Sequence, residues 1–264
     1  MLTFILLCLL VGSVVGFLAG LFGIGGGLII VPTLVYLLPM IGVPEPLLMS
    51  SALGTSFATI VITGFSSAQR HHKLGNIEWS AVKVLAPMVM ISVFISGFFI
   101  GKLDREVSAK IFACLVVYLA TKMVISIKKS TGKTKPLTTQ ASVIGGILIG
   151  MASSAAGIGG GGFIVPFLNS RGIDMKKSIG SSAFCGALLG LSGMLSFMVS
   201  GWGNPSMPDY SLGYIYLPAV LGITATSFFT SKLGATATSK LPVSTLKKGF
   251  ALLLIAIAVD MFMK

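Results

Sequence analysis

Charged residues are scarce in this sequence, and acidic ones are the scarcest. Only 10% of the 264 residues are charged, whereas an average soluble domain has about 25%. Hydrophobic residues make up 54% of the chain, and the mean hydropathy is +0.97. The apolar runs recur along the whole chain, which excludes a soluble enzyme carrying one anchor. The composition therefore predicts an integral membrane protein.

Metal-binding and redox patterns are also missing. The three cysteines lie in separate apolar runs without CxxC spacing, which argues against a disulfide framework and a zinc site. All the acidic residues fall in loops or near the ends of apolar runs, so we expect no carboxylate at the membrane midplane. Because buried ionisable groups usually mark proton relays or cation paths, this argues against a metal-cation pump, and we expect neither a metal nor a cofactor. His71 and His72 adjoin Arg70 and Lys73, and we expect both in a solvated or headgroup-facing loop.

The apolar runs form two sets of five, at about 20 residues per crossing. They fall at 4–22, 28–38, 47–68, 79–100 and 107–126, and then at 140–157, 162–169, 178–200, 212–231 and 246–263. The second run of each set is too short to span a membrane. We predict a first transmembrane repeat at 1–127, a polar and basic linker at 128–139, and a second repeat at 140–264.

The two sets share motifs in the same order, which indicates an internal repeat. GIGGGLIIVP at 23–32 returns as GIGGGGFIVP at 157–166 without a gap, and SSA at Ser50 returns at Ser181. KLDREVSAKIF and KLPVSTLKKGF follow later in each half.

The distribution of Lys and Arg predicts that the second repeat is inverted. Basic residues in short loops mark the cytoplasmic side, and most lie at 70–73, 128–135, 171–177 and 232–248. The loops at 39–46 and 201–211 have none, so we expect them outside, together with both chain termini. The loop around Lys102 must then also lie outside, where acids balance its basic residues. The net charge of +12 thus reflects topology, and we expect no nucleic-acid partner.

These features predict an all-α polytopic membrane protein. It consists of two inverted-topology repeats of about five segments each, with broken or short helices at the glycine-rich motifs. Secondary transporters have this architecture, with the substrate site near the midplane where the repeats meet. Each motif ends in Val-Pro, so we expect a short helix to begin near Pro32 and Pro166, or slightly earlier. The free N–H groups at such a helix start attract anions, and glycine lets a ligand approach the backbone.

Hydroxyl groups beside the motifs complete the predicted site, and the SSA repeat pairs Ser51 with Ser182. The candidate substrate-binding residues are Gly25, Gly26, Gly27, Pro32, Ser51, Thr55, Gly159, Gly160, Gly161, Pro166 and Ser182. An alternative interpretation is that the glycines only allow close helix packing and that the hydroxyls bond to helix carbonyls. A phosphate loop is excluded, because no Lys-Ser or Lys-Thr follows the glycines.

The two glycine motifs, with RHHKLGNIEW at 70–79, resemble the sulfite exporter TauE/SafE family, also described as the 4-toluene sulfonate uptake permease group. The resemblance implies an inner-membrane permease that moves sulfur-containing anions such as sulfite, thiosulfate, sulfoacetate or other organosulfonates. In the second copy Ala155 and Ala156 replace Leu21 and Phe22, and Gly162 is an added glycine. The two halves therefore need not contribute equally to the site.

The resulting hypothesis is a secondary transporter in the cell (inner or plasma) membrane that works by alternating access. Its partners are a small anionic substrate, the lipid bilayer, and a proton or sodium ion as candidate coupling ion. One alternative is a transporter or channel for another anion, an amino acid or a metal ion. The other is a non-transporting membrane partner protein. An enzyme is not expected, because the apolar runs hold neither a His/Glu metal cluster nor a nucleophile with a nearby base.

Overall fold

The computed structural model describes residues 2–128 and 136–242, and beyond them residues 245, 246, 248, 249 and 252. Its described part contains the helices α1 Leu2–Phe22, α2 Gly27–Leu37, α3 Leu48–Lys73, α4 Trp79–Ile100, α5 Arg105–Lys128, α6 Thr139–Ala156, α7 Gly161–Ser170, α8 Met175–Ser200 and α9 Leu217–Lys240. Two 3-10 turns, Leu38–Ile41 and Glu45–Leu47, connect α2 to α3. Most of the predicted linker and of the tenth segment at 246–263 lies outside the described residues, so these boundaries stay predictions.

The helices confirm a polytopic membrane protein. Within the described residues, five helices are long and apolar enough to cross a membrane: α1, α3 with its preceding turn, α4, α6 and α8. The helices α5 and α9 have 24 residues each, about 36 Å at the α-helical rise of 1.5 Å per residue. As expected, α2 and α7 are short, with 11 and 10 residues.

The start of the ninth segment differs from the prediction. Instead of a helix from residue 212, strands β1 Ser211–Leu212 and β2 Ile215–Tyr216 form an antiparallel hairpin, in which Ser211 pairs with Tyr216. The helix α9 begins only at Leu217, with proline in its first turn, where the missing N–H of proline costs nothing. The hairpin was not apparent in the sequence because its residues continue into an apolar run.

Polar contacts define the two ends of the helix bundle. The C-terminal ends of α1 and α3 lie together, since His71 Nε2 is 3.1 Å from the Gly20 carbonyl oxygen. The end of α9 joins the start of α8, where Lys176 Nζ donates to the Ser239 carbonyl at 2.7 Å. We call this the basic end. The opposite end, where α3, α5 and α9 begin beside the β-hairpin, is called the hairpin end.

Small residues allow the helices to approach closely. The helix α1 packs on α9, α6 packs on α4, and α3 packs on α8. A Cβ added at Gly12, Gly16 or Gly20 of α1 would overlap α9, and one added at Gly146 or Gly150 of α6 would overlap α4. Lipid tails are as apolar as these side chains, so van der Waals contact at small residues is a main source of helix association in membranes.

Serine hydroxyls add a second kind of contact between helices. Three serines of α8, spaced four residues apart, donate to carbonyl oxygens of α4. The pairs are Ser192 to Met90 at 2.6 Å, Ser196 to Phe94 at 2.8 Å and Ser200 to Phe98 at 3.3 Å. These three hydroxyls therefore contribute to the packing of α8 on α4.

A substitution on α1 tests this packing. The change Gly16→Leu places a side chain against Ser227 and Thr230 of α9. We expect the melting temperature in detergent to fall by about 5–10 °C, from an overpacking cost of about 2–3 kcal/mol. The matched control is Val14→Leu, because Val14 is exposed on the same helix and should tolerate the larger side chain. Equal melting temperatures for the two variants would contradict the packing.

Candidate functional site

The two glycine motifs cross in antiparallel register between the helices. A Cβ added at Gly27 would overlap the carbonyl oxygen of Gly157, and one added at Gly161 would overlap the carbonyl oxygen of Gly23. Backbone therefore packs directly on backbone, which only glycine permits here. Glycine at these positions is required both if a ligand approaches the backbone and if the two motifs pack closely. The structure shows the close packing of the two backbones.

The centre of the crossing lies halfway through the bundle. A Cβ added at Gly25 would lie 3.0 Å from the Cα of Gly159 and 3.0 Å from Cγ2 of Ile60, a residue midway along α3. Gly25 and Gly159 are equivalent positions of the two motifs. Each motif thus meets its own counterpart at the centre of the crossing.

Two short helices begin at the crossing. Gly26 precedes α2 with φ +91°, and Gly160 precedes α7 with φ +77°, a left-handed conformation that glycine adopts without steric cost. Neither helix start has a side-chain cap. The first N–H groups of a helix lack partners within the helix, so two positive helix termini face the centre.

The prolines do not mark the helix starts. Pro32 and Pro166 are each the sixth residue of their helix, so α2 and α7 begin five residues earlier than a proline at the first position would place them. The left-handed glycines set the start instead, and the residue before each proline is helical rather than extended. Proline in the second turn removes one helical hydrogen bond. Pro32 and Pro166 lie away from the crossing itself and line two cavities, one of about 430 Å³ and one of about 930 Å³.

One serine anchors each motif. Ser182 Oγ of α8 donates to the Gly23 carbonyl at 3.1 Å, and Ser56 Oγ of α3 donates to the Gly157 carbonyl at 3.0 Å. By their contacts, Ser182 and Ser56 are equivalent in the two halves. The SSA repeat of the sequence instead makes Ser51 the equivalent of Ser182. The helices α3 and α8 both have 26 residues, and aligning them end to end brings Ser182 within one position of Ser56.

The other predicted hydroxyls lie nearer the hairpin end. Ser51 Oγ lies 3.3 Å from the sulfur of Met207. Thr55 Oγ1 accepts a hydrogen bond from the Tyr216 N–H at 3.0 Å. The structure therefore brings together the six predicted glycines and Ser182, adds Ser56, and places Ser51 and Thr55 in contacts that hold the β-hairpin region.

The crossing is polar but uncharged. Its groups are peptide N–H and C=O groups and two serine hydroxyls, among buried apolar side chains of α2, α3, α7 and α8. In the described part of the chain, no three His, Cys, Asp or Glu residues come together as a metal site would require. The crossing thus offers N–H and O–H groups, which are hydrogen-bond donors of the kind that bind oxyanions.

Comparisons with known proteins show the family of the chain. Residues 8–261 match the family described as sulfite exporter TauE/SafE. The chain belongs to the TauE/SafE family. It is similar to a probable membrane transporter protein of Haemophilus influenzae, with 80% identity over 264 residues, 100% of both chains. The protein is therefore a membrane transporter rather than an enzyme, and the family resemblance of the glycine motifs is confirmed.

More distant relatives have the same description. A probable membrane transporter protein of Methanocaldococcus jannaschii is 29% identical over 231 residues, covering 86% of this chain and 84% of the relative. The probable membrane transporter protein YunE of Bacillus subtilis is 25% identical over 274 residues, covering 97% and 96%. No solved structure matches the chain.

Neighbouring glycines of α7 test the crossing. The change Gly161→Ala forces a methyl group against the Gly23 carbonyl, and we expect a fall of about 5–10 °C in melting temperature from about 2–3 kcal/mol of overpacking. At Gly162 the closest neighbour of an added Cβ would be a flexible Leu119 methyl at 2.8 Å, and no backbone atom lies near. The control Gly162→Ala should therefore cost at most about 1 kcal/mol. Equal losses at the two glycines would rule out the backbone contact as the cause.

Proposed function

We propose that the protein is a secondary transporter that moves small sulfur-containing anions, such as sulfite, thiosulfate or organosulfonates, across the cell (inner or plasma) membrane. The observation that carries this proposal is the crossing, where two helix N-termini meet on uncharged backbone. The family description, sulfite exporter, supports the substrate class. The hydroxyls of Ser56 and Ser182 add two donors suited to a small oxyanion.

We further propose that residues 1–127 and 140–264 are inverted-topology repeats. Support comes from contacts that occur in pairs: α1 packs on α9 as α6 packs on α4, and α3 packs on its counterpart α8. Ser182 bonds to Gly23 as Ser56 bonds to Gly157. A two-fold relation makes residue i of one half contact residue j of the other while j contacts i. The antiparallel crossing of the motifs has this reciprocity.

The ligand would take the place of a carbonyl group. The carbonyl oxygen of Gly157 packs against Gly27 at the start of α2, and that of Gly23 packs against Gly161 at the start of α7. A carbonyl oxygen carries partial negative charge and complements the positive helix terminus. An oxyanion of sulfite or a sulfonate would complement it more strongly, and the serine hydroxyls would turn from the carbonyls to the anion.

Binding of this kind requires the two motifs to separate slightly, which links the site to motion. Each motif is continuous with helices of its own half, so separation moves one half relative to the other. Rocking of two repeats about a central site is the basis of alternating access. We assign the basic end to the cytoplasm and the hairpin end and both termini to the outside, from the Lys and Arg distribution.

Thiol labelling tests this orientation. Single cysteines at Gly42 and Gly203, where an added Cβ has open space, should react with an impermeant reagent added to intact cells. Cysteines at Lys73 and Lys176 should react only after the cells are opened. Labelling of Lys176→Cys from outside, with protection at Gly203→Cys, would contradict the inverted arrangement.

Flux into proteoliposomes tests the substrate class. We expect uptake of labelled sulfite, thiosulfate or a sulfonate in exchange for the same anion inside, with little uptake of acetate, alanine or Mn²⁺. The changes Ser56→Ala and Ser182→Ala should each lower flux about tenfold, since each removes one hydrogen bond to a charged ligand, about 1.5 kcal/mol.

The matched control is Ser192→Ala, whose hydroxyl contacts α4 and should leave flux within about twofold, as that bond is peripheral to the ligand. Transport of alanine or Mn²⁺ in place of the sulfur anions would favour a carrier of another solute. Absence of any flux from folded protein would favour a non-transporting partner.

A further inference from the structure

His71 is buried, contrary to the expectation of a solvated loop. Its side chain is 0% exposed at the end of α3. The ring Nε2 lies 3.1 Å from the Gly20 carbonyl oxygen, and Nδ1 lies 3.5 Å from Nδ2 of Asn76. Since a carbonyl can only accept, Nε2 carries the hydrogen, and Nδ1 faces an amide donor. The ring is therefore held as the neutral Nε2–H tautomer.

The contacts of His71 continue to three other elements. Asn76, in the loop after α3, also donates to Ser239 Oγ of α9 at 2.8 Å. The Asn76 carbonyl packs against Gly180 of α8. The imidazole thus sits in a polar chain that joins α1, α3, α8 and α9 and closes the basic end.

This polar chain is linked directly to the proposed substrate site. Gly20 lies in the last turn of α1, three residues before Gly23 of the crossing. Thr238 Oγ1 donates to the Leu21 carbonyl at 2.7 Å and lies 3.4 Å from that of Gly20. His71 and α9 therefore hold the segment of α1 that leads into the first glycine motif.

Among the residues that the structure describes, the charged groups around this end leave an imidazolium without a counter-ion. They are Arg70, His72 and Lys73 on α3, Glu78 in the loop, Asp174, Lys176 and Lys177 at the start of α8, and Lys240 at the end of α9, while α1 has none. Both acids already have partners. The Lys177 ammonium bonds to Glu78 at 2.9 Å and holds the pKa of that carboxyl below its usual value. Asp174 caps α8 by accepting from the N–H groups of Lys176 and Lys177.

We propose that His71 is a proton-binding site, and that protonation of Nδ1 opens the basic end. The added N–H would face the amide N–H group of Asn76, so the contact between α3 and the loop changes from attractive to repulsive. The imidazolium would lie among basic residues, out of water, and would gain hydration only if the end opens. This inference rests on the alternating access proposed above and assigns the proton as the ion that controls it.

The direction of the pH effect follows from the neutral ring of the closed end. A hydrated imidazole titrates near pH 6.5. The closed end is therefore favoured above this pH, and it loses stability relative to the open end as the pH falls below it.

Ser67 provides a reporter for opening. It is buried one turn before His71, and its hydroxyl has no hydrogen-bond partner in the described structure, so Ser67→Cys removes no contact of this kind. The reference is Lys73→Cys, an exposed position two residues beyond His71. The experiment measures the labelling rates of both by an impermeant maleimide, in nanodiscs, with the three native cysteines changed to alanine. The ratio of the two rates cancels the intrinsic pH dependence of the thiol.

With His71 present, we expect the ratio of Ser67→Cys to Lys73→Cys labelling to rise about tenfold between pH 8 and pH 5.5. One group that titrates near pH 6.5 in the open end favours opening about tenfold for each pH unit below that value. With His71→Gln, which keeps a donor for the Gly20 carbonyl but does not titrate, the ratio should stay within about twofold. The control His72→Gln should behave as the parent. A flat ratio in the parent, or an equal rise in His71→Gln, would overturn the proposal.

A second measurement does not depend on the folding of His71→Gln. The chain has two histidines, so the protein with His72→Gln gives ¹⁵N resonances of His71 alone. We expect the Nε2–H tautomer at pH 8 and an imidazolium that appears over the same pH range as the labelling. A ring that stays neutral while labelling rises would refute the assignment. If labelling and titration agree but no anion is transported, the proton site stands and the proposed substrate class fails.

Discussion

The structure depends on one constraint, which is that peptide groups inside a membrane must be covered by protein. Irregular backbone is tolerated at membrane depth only where it is buried in protein or lines a water-filled cavity. Here each glycine motif is covered by the other. Ser182 donates to a carbonyl oxygen of the first motif, and Ser56 donates to one of the second. A single motif would leave these groups facing hydrocarbon. The repetition of the motif is therefore a physical requirement, since each copy completes the other.

Much of the fold could be predicted from the sequence, as could the glycine motifs of the candidate site. The short second runs, the membrane-spanning helices and the family are confirmed, because hydropathy and the repeated motif are local properties of the chain. The helix starts were misplaced because the left-handed Gly26 and Gly160 outweigh the proline signal. The roles of Ser56 and His71 depend on which helices meet, which no local pattern contains. His71 in particular sits in a basic and polar stretch, and only packing against α1 and α9 buries it.

Close packing also limits where the movement of the proposed transporter can occur. The contacts of α1 with α9 and of α6 with α4 involve small residues and backbone, which interlock and resist deformation. Packed surfaces of this kind prefer a few discrete arrangements over gradual distortion. In the proposed transporter, movement then concentrates where contacts are polar and exchangeable: at the crossing, where a ligand oxyanion can replace a carbonyl oxygen, and at the two ends.

The two ends are closed by different chemistry, although the proposed repeats are related by symmetry. The hairpin end is held by neutral contacts of Thr55 with Tyr216 and Ser51 with Met207, and by the Arg105–Glu45 ion pair. The basic end is held by His71, Asn76 and the Glu78–Lys177 ion pair. Each end thus has an ion pair, but both histidines of the chain lie at the basic end, so protonation of imidazole acts on that end. In the proposed transporter, a proton that acts on one end alone would give direction to a nearly symmetric site. This asymmetry arises from His71 at the end of α3 and from the loops that the repeats do not share.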